Sequence, residues 1–292
     1  MGDDRPIGMF DSGFGGLTVA RALIDLVPSE HLIYLGDTGR YPYGSRPLEE
    51  VRSFALEIAR WLVEEHDVKL IVVACNTASA AGLEALRASL PVPVVGVIDP
   101  GLRAAAKVTA NRRVGVIGTV GTISSGAYQR AVEEMDGTTP GAAGQGEDSF
   151  FELHLAACPG FVEFVERGET SSDQVTVLAE RLLAPLGEAG VDTLLLGCTH
   201  YPFLARTIGE VMGRDVVLVS SADETAFEVR SVLTSRGIER STGGSGMYRF
   251  YSSGDVEWFR KVGTRLFGEE LGQVGQVDWA DRRTTSKGHD TP

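Results

Sequence analysis

Short runs rich in β-branched residues alternate with longer amphipathic stretches along this chain, and this alternation limits the folds open to it. The short runs predict buried strands and the longer stretches predict helices, one of which begins after Pro47 with apolar residues every three or four positions. The predicted strands cover residues 6–10, 31–35, 68–74, 93–97, 113–117, 191–196, 216–219 and 247–251. This order predicts an α/β fold with mainly parallel sheets.

A weak internal repeat divides the chain into two halves. Gly8 and Gly115 occupy equivalent strand positions 107 residues apart (115 − 8), whereas Cys75 and Cys198 are 123 residues apart (198 − 75). The second half therefore carries 16 additional residues, and the turn-forming composition of residues 135–149 supplies nearly that many. We expect two pseudo-symmetric domains, each a mainly parallel sheet flanked by helices, with the site in the cleft between them. The expected bounds are 1–98 plus 209–270 for the first domain, 99–208 for the second with a flexible insertion near 135–150, and 271–292 for a disordered tail.

Charge and cysteine content limit the class of function and the compartment. The net charge is −13 and the 27 Lys and Arg residues form no block, which argues against a nucleic-acid surface. Three cysteines without an apolar, positively flanked leader indicate reduced thiols in the cytoplasm. No apolar run approaches the roughly 20 residues of a membrane helix, so no membrane partner is expected.

Two apolar strands each end in a cysteine followed by small polar residues, in Cys75-Asn76-Thr77 and in Cys198-Thr199-His200. Equivalent strand ends can bring both thiols to one pocket. The ordinary pKa of a thiol is about 8.5, and a helix N-terminus after each strand would favour the thiolate. Such a pair suits a reaction that needs a base on one face of a carbon and an acid on the other. Paired structural cysteines are the alternative.

Two glycine-rich segments after predicted strands are candidate binding loops. Residues 11–16 begin with Asp11 and Ser12, and their glycines would let backbone amides approach an anion, although their spacing is not the dinucleotide fingerprint. A tight turn with Asp11 as a helix cap is the alternative. Residues 36–44, which include Tyr43 and Gly44, are predicted at the same sheet edge, and the alternative is a plain connection.

The remaining chemically active residues give weaker signals. His200 can take a thiol proton, and a neutral structural histidine is the alternative. Cys158 has no cysteine at a metal-ligand or redox-motif spacing and is interpreted as a packed side chain. No such spacing occurs among the cysteines and histidines, so no metal site is predicted.

Six segments, taken in order from Ile7 to about Phe267, resemble the cofactor-independent glutamate racemases of the aspartate/glutamate racemase superfamily. They are residues 10–19, 36–44, 74–79, 118–128, 158–166 and 196–202. The resemblance implies that the protein inverts glutamate without pyridoxal phosphate or another cofactor. One cysteine thiolate would remove the α-proton, and the opposite thiol would return a proton to the other face. The resemblance also implies D-glutamate for peptidoglycan synthesis and cell shape, and a homodimer.

The same resemblance assigns roles to individual residues. Cys75 and Cys198 become the two bases, with Asp11 assisting Cys75 and His200 with Glu166 assisting Cys198. Because Glu163 lies one helical turn before Glu166, either acid could face the site. The expected substrate contacts are Asp11, Ser12, Tyr43, Gly44, Asn76, Thr77, Thr199 and His200. Stabilising a carbanion-like intermediate without an electron sink requires hydroxyl and amide dipoles, which Ser12, Asn76, Thr77, Thr119, Thr122 and Thr199 offer.

Three alternatives remain open from the sequence. The same chemistry could act on aspartate or another acidic amino acid. A non-catalytic protein could bind a small dicarboxylate in these loops while its cysteines only pack. A thiol hydrolase could use a single cysteine nucleophile, which would leave the second cysteine without a role.

Overall fold

Two separate parallel sheets organise the computed structural model, which describes residues 2–138, 151–241, 243–268 and 271–280. The strands are β1 Ile7–Asp11, β2 Leu32–Gly36, β3 Leu70–Val73, β4 Val94–Gly96, β5 Arg113–Gly118, β6 Glu152–Ala157, β7 Thr193–Gly197, β8 Val217–Ser220, β9 Tyr248–Ser252 and β10 Val274–Gln276. The helices are α1 Leu17–Leu26, α2 Leu48–His66, α3 Asn76–Ser89, α4 Ile98–Val108, α5 Val120–Ser124, α6 Ala127–Thr138, α7 Phe161–Arg167, α8 Asp173–Glu188, α9 Ala205–Met212, α10 Ser221–Arg236 and α11 Val256–Phe267. A short 3₁₀ helix covers Tyr201–Leu204.

The two sheets repeat one strand order, which confirms the predicted α/β architecture with two related halves. The first sheet has the order β10-β9-β2-β1-β3-β4 and the second β6-β5-β7-β8, with every pair parallel. The segment β2-β1-β3-β4 therefore corresponds to β6-β5-β7-β8. Gly8 pairs with Ile71 in the first sheet and Gly115 with Leu194 in the second, which reproduces the offsets of 107 (115 − 8) and 123 (194 − 71).

The strand register also locates the additional residues of the second half. From β1 to β2 the paired positions Gly8 and Ile33 are 25 residues apart (33 − 8), whereas Gly115 and His154 are 39 apart (154 − 115). Fourteen of the 16 additional residues therefore lie between β5 and β6. Residues 135–138 belong to α6 rather than to a loop, and residues 139–150 lie outside the described part of the chain.

Several sequence expectations are corrected. β8 pairs with β7, so the chain is still in the second sheet at residues 217–220 and does not return to the first sheet at residue 209. Residues 271–280 are not disordered, because β10 pairs with β9 and Leu271 and Trp279 are buried. A three-residue strand with few apolar side chains has no periodicity that a sequence can reveal. Residues 281–292 lie outside the described part of the chain.

Helices on both faces bury the central strands. Every residue of β1, β2 and β3 is buried, as expected for parallel strands covered on two sides. The predicted apolar stripe of α2 packs inward through Val51, Ala55, Ile58 and Leu62, so the helix expected after Pro47 is confirmed. No helix in the described ranges is both long and apolar enough to cross a membrane.

Candidate active site

A cavity is lined by residues that follow strands of both sheets. Its volume is about 620 Å³ when the open space at its mouth is included. In parallel sheets these carboxyl ends are where ligands bind. The predicted site residues on its wall are Ser12, Tyr43, Gly44, Cys75, Asn76, Thr77, Thr119, Cys198, Thr199 and His200. Asp11 and Thr122 are buried behind the wall, and Glu166 stands behind His200. Within the described ranges, no three side chains of His, Cys, Asp or Glu come together as metal ligands.

Cys75 lies at the junction of β3 and α3 in the first half. It is the N-cap of α3, and its Sγ accepts the backbone N–H of Ala78 at 3.4 Å and lies 3.8 Å from Ser12 Oγ. The predicted helix N-terminus is therefore present. Burial, and after it the charge of Asp11, nevertheless raises the pKa of Cys75 to about 12. Desolvation outweighs the helix N-terminus, so the group is a thiol at neutral pH.

Asp11 connects the two halves from the end of β1. Its side chain is fully buried, and Oδ1 accepts the backbone N–H of Gly13 at 2.8 Å while Oδ2 accepts the Thr199 hydroxyl at 3.1 Å. Burial raises its pKa to about 6, so it is mostly a carboxylate at neutral pH. Asp11 thus closes its own turn but does not cap α1, whose N-cap is Gly16 with no side-chain hydrogen bond, and it also reaches the residue that follows Cys198.

Cys198 follows β7 and has a titratable neighbour. Its Sγ lies 3.9 Å from Nδ1 of His200, whose Nε2 lies 3.9 Å from Oε1 of Glu166. Burial lowers the pKa of His200 to about 4, so the imidazole is neutral and can accept a proton. Burial also raises the pKa of Cys198 above its ordinary range, opposed by the backbone N–H of His200. Only a short 3₁₀ helix follows this cysteine.

Glu166 and Glu163 point to different places from α7. Glu166 lies behind His200, whereas Glu163 is on the cavity wall. Burial raises the pKa of Glu166, and burial together with the charge of Glu166 raises the pKa of Tyr41 on the cavity wall. Phe14 packs edge-on against the His200 ring at 4.9 Å between centroids, and Tyr41 lies at 6.1 Å. The imidazole is therefore enclosed by aromatic rings with a carboxylate behind it.

Three threonine hydroxyls meet across the two halves. Oγ1 of Thr77 lies 3.1 Å from that of Thr119 and 3.0 Å from that of Thr122, and the last two are 2.9 Å apart. Beside them, Asn76 Nδ2 donates to the Tyr128 hydroxyl at 3.0 Å. Hydroxyls can rotate to donate to a carboxylate, so this threonine cluster is a candidate anion site that needs both halves.

Two glycines permit close approach at the cavity. A Cβ on Gly15 would lie 2.4 Å from Thr199 Oγ1 and 2.7 Å from His200 Nδ1. A Cβ on Gly44 would lie 2.6 Å from Thr119 Cβ, and the Gly44 carbonyl accepts the backbone N–H of Gly121 at 2.9 Å. Both glycines lie where the first half touches the second, so a side chain at either position would separate the halves.

Sequence reasoning missed part of the cavity wall. Tyr41 and Cys158 line it, although neither was predicted as a site residue. Cys158 follows β6 and is buried in the core, which agrees with packing, yet it also faces the cavity. Burial raises its pKa to about 12. Because β6 was not among the predicted strands, nothing in the sequence indicated that Cys158 stands at this sheet edge.

Comparison with known proteins adds relatives that cover nearly the whole chain. The family described as Asp/Glu/Hydantoin racemase matches residues 15–228. A glutamate racemase of Acidothermus cellulolyticus is 50% identical over 270 residues, covering 92% of this chain and 97% of that protein. A glutamate racemase of Geobacter metallireducens is 48% identical over 273 residues, covering 94% of this chain and 96% of that protein.

Solved structures show the same similarity. A glutamate racemase isoform of Bacillus anthracis has a TM-score of 0.84 at 42% identity, covering 94% of this chain and 97% of that chain. The glutamate racemase of Francisella tularensis in complex with D-glutamate has a TM-score of 0.83 at 32% identity, covering 94% of this chain and 98% of that chain. An aspartate racemase homologue of Pyrococcus horikoshii has a TM-score of 0.52 at 17% identity, covering 79% of this chain and 99% of that chain, which is a likeness of fold alone.

Proposed function

This chain belongs to the aspartate/glutamate racemase family and is a racemase, and from that premise we propose that it interconverts L- and D-glutamate by proton transfer between Cys75 and Cys198. The observation that carries the proposal is that two buried thiols, one from each half of the molecule, line one cavity, each with a different proton-handling neighbour. A two-base inversion needs this pairing, whereas a thiol hydrolase or a binding protein does not.

Glutamate is the proposed substrate because relatives about 50% identical over more than nine tenths of this chain carry that activity in their names. The cluster of Thr77, Thr119 and Thr122 is suited to a carboxylate, and Asn76 and Ser12 add polar groups on the same wall. Similarity to aspartate racemases is limited to the fold, so aspartate is not favoured.

The proton is passed between unequal partners. In one direction the Cys75 thiolate removes the α-proton on one face while the Cys198 thiol gives its own proton to the other face. The product leaves Cys75 as thiol and Cys198 as thiolate, so the free enzyme must return to its starting state. Burial disfavours an imidazolium at His200, so for this residue to hold the proton of Cys198 the carboxylate of Glu166, 3.9 Å behind it, must offset part of that cost. Asp11 can serve the same purpose for Cys75.

Burial sets when the thiolate forms. Both thiols have raised pKa values in the free protein, because a buried thiolate lacks solvation. A bound amino acid brings an α-ammonium group into the cavity, and a positive charge within a few ångströms lowers the pKa of a neighbouring thiol. We therefore expect the reactive thiolate to form in the complex with substrate.

The cellular role follows from the product. D-glutamate would serve peptidoglycan synthesis and so the maintenance of cell shape. We assign the enzyme to the cytoplasm, where its three free cysteines would stay reduced. We also propose that it acts as a homodimer without an added cofactor, which sedimentation and assays with dialysed protein can test.

The deciding experiment is incubation of the purified protein with L-glutamate in deuterium oxide without added cofactor. We expect optical rotation to fall to zero and deuterium to enter the α-position of the D-glutamate formed, as read by NMR. L-aspartate run in parallel should react far more slowly. The double variant Cys75→Ala/Cys198→Ala should show neither change. A folded wild-type protein that binds glutamate but neither inverts it nor exchanges its α-proton would refute the proposal.

A further inference from the structure

Asp37 is a fully buried carboxylate directly after β2, and it belongs to the segment 36–44 without having been assigned a role of its own. Its two oxygens accept four side-chain donors. Oδ2 accepts Arg40 Nε at 2.7 Å and the Tyr43 hydroxyl, and Oδ1 accepts the Ser253 hydroxyl at 2.5 Å and the indole Nε1–H of Trp279 at 2.8 Å. A buried carboxylate with four donors is a strong organising centre, because each donor would be left unpaired without it.

The four donors come from distant parts of the chain. Arg40 and Tyr43 lie in the segment that leads to the cavity, which we call the substrate loop (residues 38–45). Ser253 follows β9, and Trp279 follows β10 in the segment that the sequence predicted to be disordered. Asp37 therefore joins the substrate loop to two strand ends at the edge of the first sheet.

Trp279 contacts the substrate loop a second time through Arg40. The guanidinium carbon of Arg40 lies 4.6 Å from the centroid of the Trp279 ring and 4.2 Å from that of Phe54, so it is held between two aromatic faces. Arg40 also pairs with Glu57 of α2. The face of the Trp279 indole thus contacts Arg40, and its N–H donates to Asp37. The Trp279 side chain is itself buried.

The substrate loop connects Asp37 to the threonine cluster proposed as the anion site. Tyr43 and Gly44 are on the cavity wall, the Gly44 carbonyl accepts the Gly121 N–H, and its Cα approaches Thr119 without room for a side chain. Thr119 belongs to the threonine cluster described above. A displacement at Asp37 therefore reaches the carboxylate-binding groups through two residues, Tyr43 and Gly44.

We propose that Asp37 and Trp279 are positioning residues that hold the substrate loop against the second half and so set the affinity for glutamate. Neither side chain lines the cavity, and both thiols are carried by other elements, after β3 and β7. The inference rests on the function proposed above. It assigns to the segment 271–280 a part in substrate binding.

Two exchanges separate the contacts. Trp279→Phe keeps an aromatic face over Arg40 and removes the N–H that reaches Asp37, together with part of the ring surface that packs near Trp61. Asp37→Asn keeps the shape and replaces one acceptor oxygen by an NH₂ group, so two of the four donors lose their acceptor. Asp67→Asn is the matched control, because Asp67 is an exposed residue in a left-handed conformation that Asn tolerates.

Steady-state racemisation of glutamate tests the proposal. We expect KM to rise about tenfold for Asp37→Asn and about threefold for Trp279→Phe, with kcat within about twofold of wild type. These factors are smaller than the loss of whole hydrogen bonds to a charged group would give, because the substrate loop keeps its other contacts with the second half. In the double variant the two effects should not add, because both act through one carboxylate. Asp67→Asn should leave both constants unchanged. Loss of thermal stability in Trp279→Phe with an unchanged KM would overturn the inference.

Limited proteolysis provides a readout independent of the reaction. We expect the bond between Arg40 and Tyr41 to be protected while Asp37 accepts the Arg40 guanidinium and the Trp279 N–H. Both exchanges weaken this anchorage, so trypsin should cleave there faster in Trp279→Phe and Asp37→Asn than in wild type or Asp67→Asn. Mass spectrometry locates the cut. A wild-type protein inactive on glutamate would count against the proposed function alone, whereas equal cleavage rates in all four proteins would overturn the positioning role.

Discussion

Cys75 and Cys198 follow equivalent strands of two related sheets, yet the groups around them differ. Cys75 caps a 14-residue helix and accepts a backbone N–H, with the Asp11 carboxylate nearby. Cys198 precedes a four-residue 3₁₀ helix and has the imidazole of His200 with Glu166 behind it. A duplicated scaffold can therefore place two thiols at equivalent positions while each has a different titratable neighbour.

A second equivalent pair shows the same divergence. Asp37 follows β2 and Cys158 follows β6, 121 positions apart (158 − 37), the same offset as the paired residues Ile33 and His154 (154 − 33). Their backbone N–H groups donate to equivalent carbonyls, Asp37 to Asp11 and Cys158 to Gly118. In the first half this position organises the substrate loop, whereas in the second half it carries a buried thiol.

Removing one thiol at a time should produce the largest effect on activity, and it tests whether the two cysteines act on opposite faces of the substrate. In Cys75→Ala and in Cys198→Ala we expect racemisation to fall at least about 1,000-fold, as for loss of a general acid or base. Each variant should still exchange the α-proton of one enantiomer without inverting it, and the two variants should differ in which enantiomer reacts. Proton NMR of L- and D-glutamate in deuterium oxide measures this, and exchange of the same enantiomer by both variants would contradict the two-base mechanism.

Acid should move the stability of the two half-sites in opposite directions. Asp11 has a pKa of about 6 against an ordinary 3.8, so between these values the folded state binds more protons than the unfolded state and stability rises as pH falls. His200 has a pKa of about 4 against an ordinary 6.5. Between these values the folded state binds fewer protons than the unfolded state, so stability decreases as the pH is lowered.

At pH 5 the shifted pKa of each residue changes the free energy of unfolding by about 1–2 kcal/mol, which corresponds to a few degrees in Tm. Relative to wild type, Asp11→Asn should lose more Tm between pH 7 and pH 5, and His200→Asn should lose less. Thermal melts followed by circular dichroism at both pH values measure the difference. A shift of the same sign in both variants would show that the two half-sites do not have opposite electrostatics.

The variants Glu166→Gln and Glu163→Gln test which of the two acids assists His200 beside Cys198. Glu166 faces His200 at 3.9 Å and can stabilise an imidazolium, so its neutral isostere should lower kcat/KM about tenfold. Glu163, one turn away on the same helix, lines the cavity rather than facing His200, and its exchange should change kcat/KM less than about threefold. Glutamate racemisation assays on both variants decide between the two acids, and the reverse order would give Glu163 the role.

The smallest effect is expected at the third cysteine. Cys158→Ala removes a buried sulfur from the core and should cost about 1 kcal/mol in the free energy of unfolding, with racemisation within about twofold of wild type. Denaturant unfolding and the glutamate assay measure the two quantities. A tenfold loss of activity at unchanged stability would mean that the position equivalent to Asp37 takes part in the reaction.

Much of the fold and the centre of the site could be predicted from the sequence. The alternation of strands and helices, the two offsets of the repeat, and the placement of Asp11, Cys75 and Cys198 at strand ends all depend on local patterns. Asp11, however, proved to lie behind the cavity wall rather than on it. Local patterns give the order of elements but not which side chain reaches the surface of a cleft.

The rest of the molecule depends on contacts between distant residues. β10 has three residues and is recognised only by its pairing with β9. Trp279 is buried by residues far away in sequence, among them Asp37, Arg40 and Trp61. Tyr41 faces Glu166 across more than 100 positions of sequence (166 − 41). Raised thiol pKa values likewise result from burial in the assembled cleft, where desolvation exceeds the helix N-terminus that the sequence did indicate.

The burial of Cys75 and Cys198 also bears on how the protein withstands oxidants. Burial raises the pKa of both thiols, so the thiolate, which is the species that peroxides and disulfides attack, is scarce at pH 7 in the free protein. In the proposed mechanism one of these thiols ionises only when substrate is bound. Oxidative damage should follow substrate occupancy, since only the working enzyme repeatedly ionises a thiol.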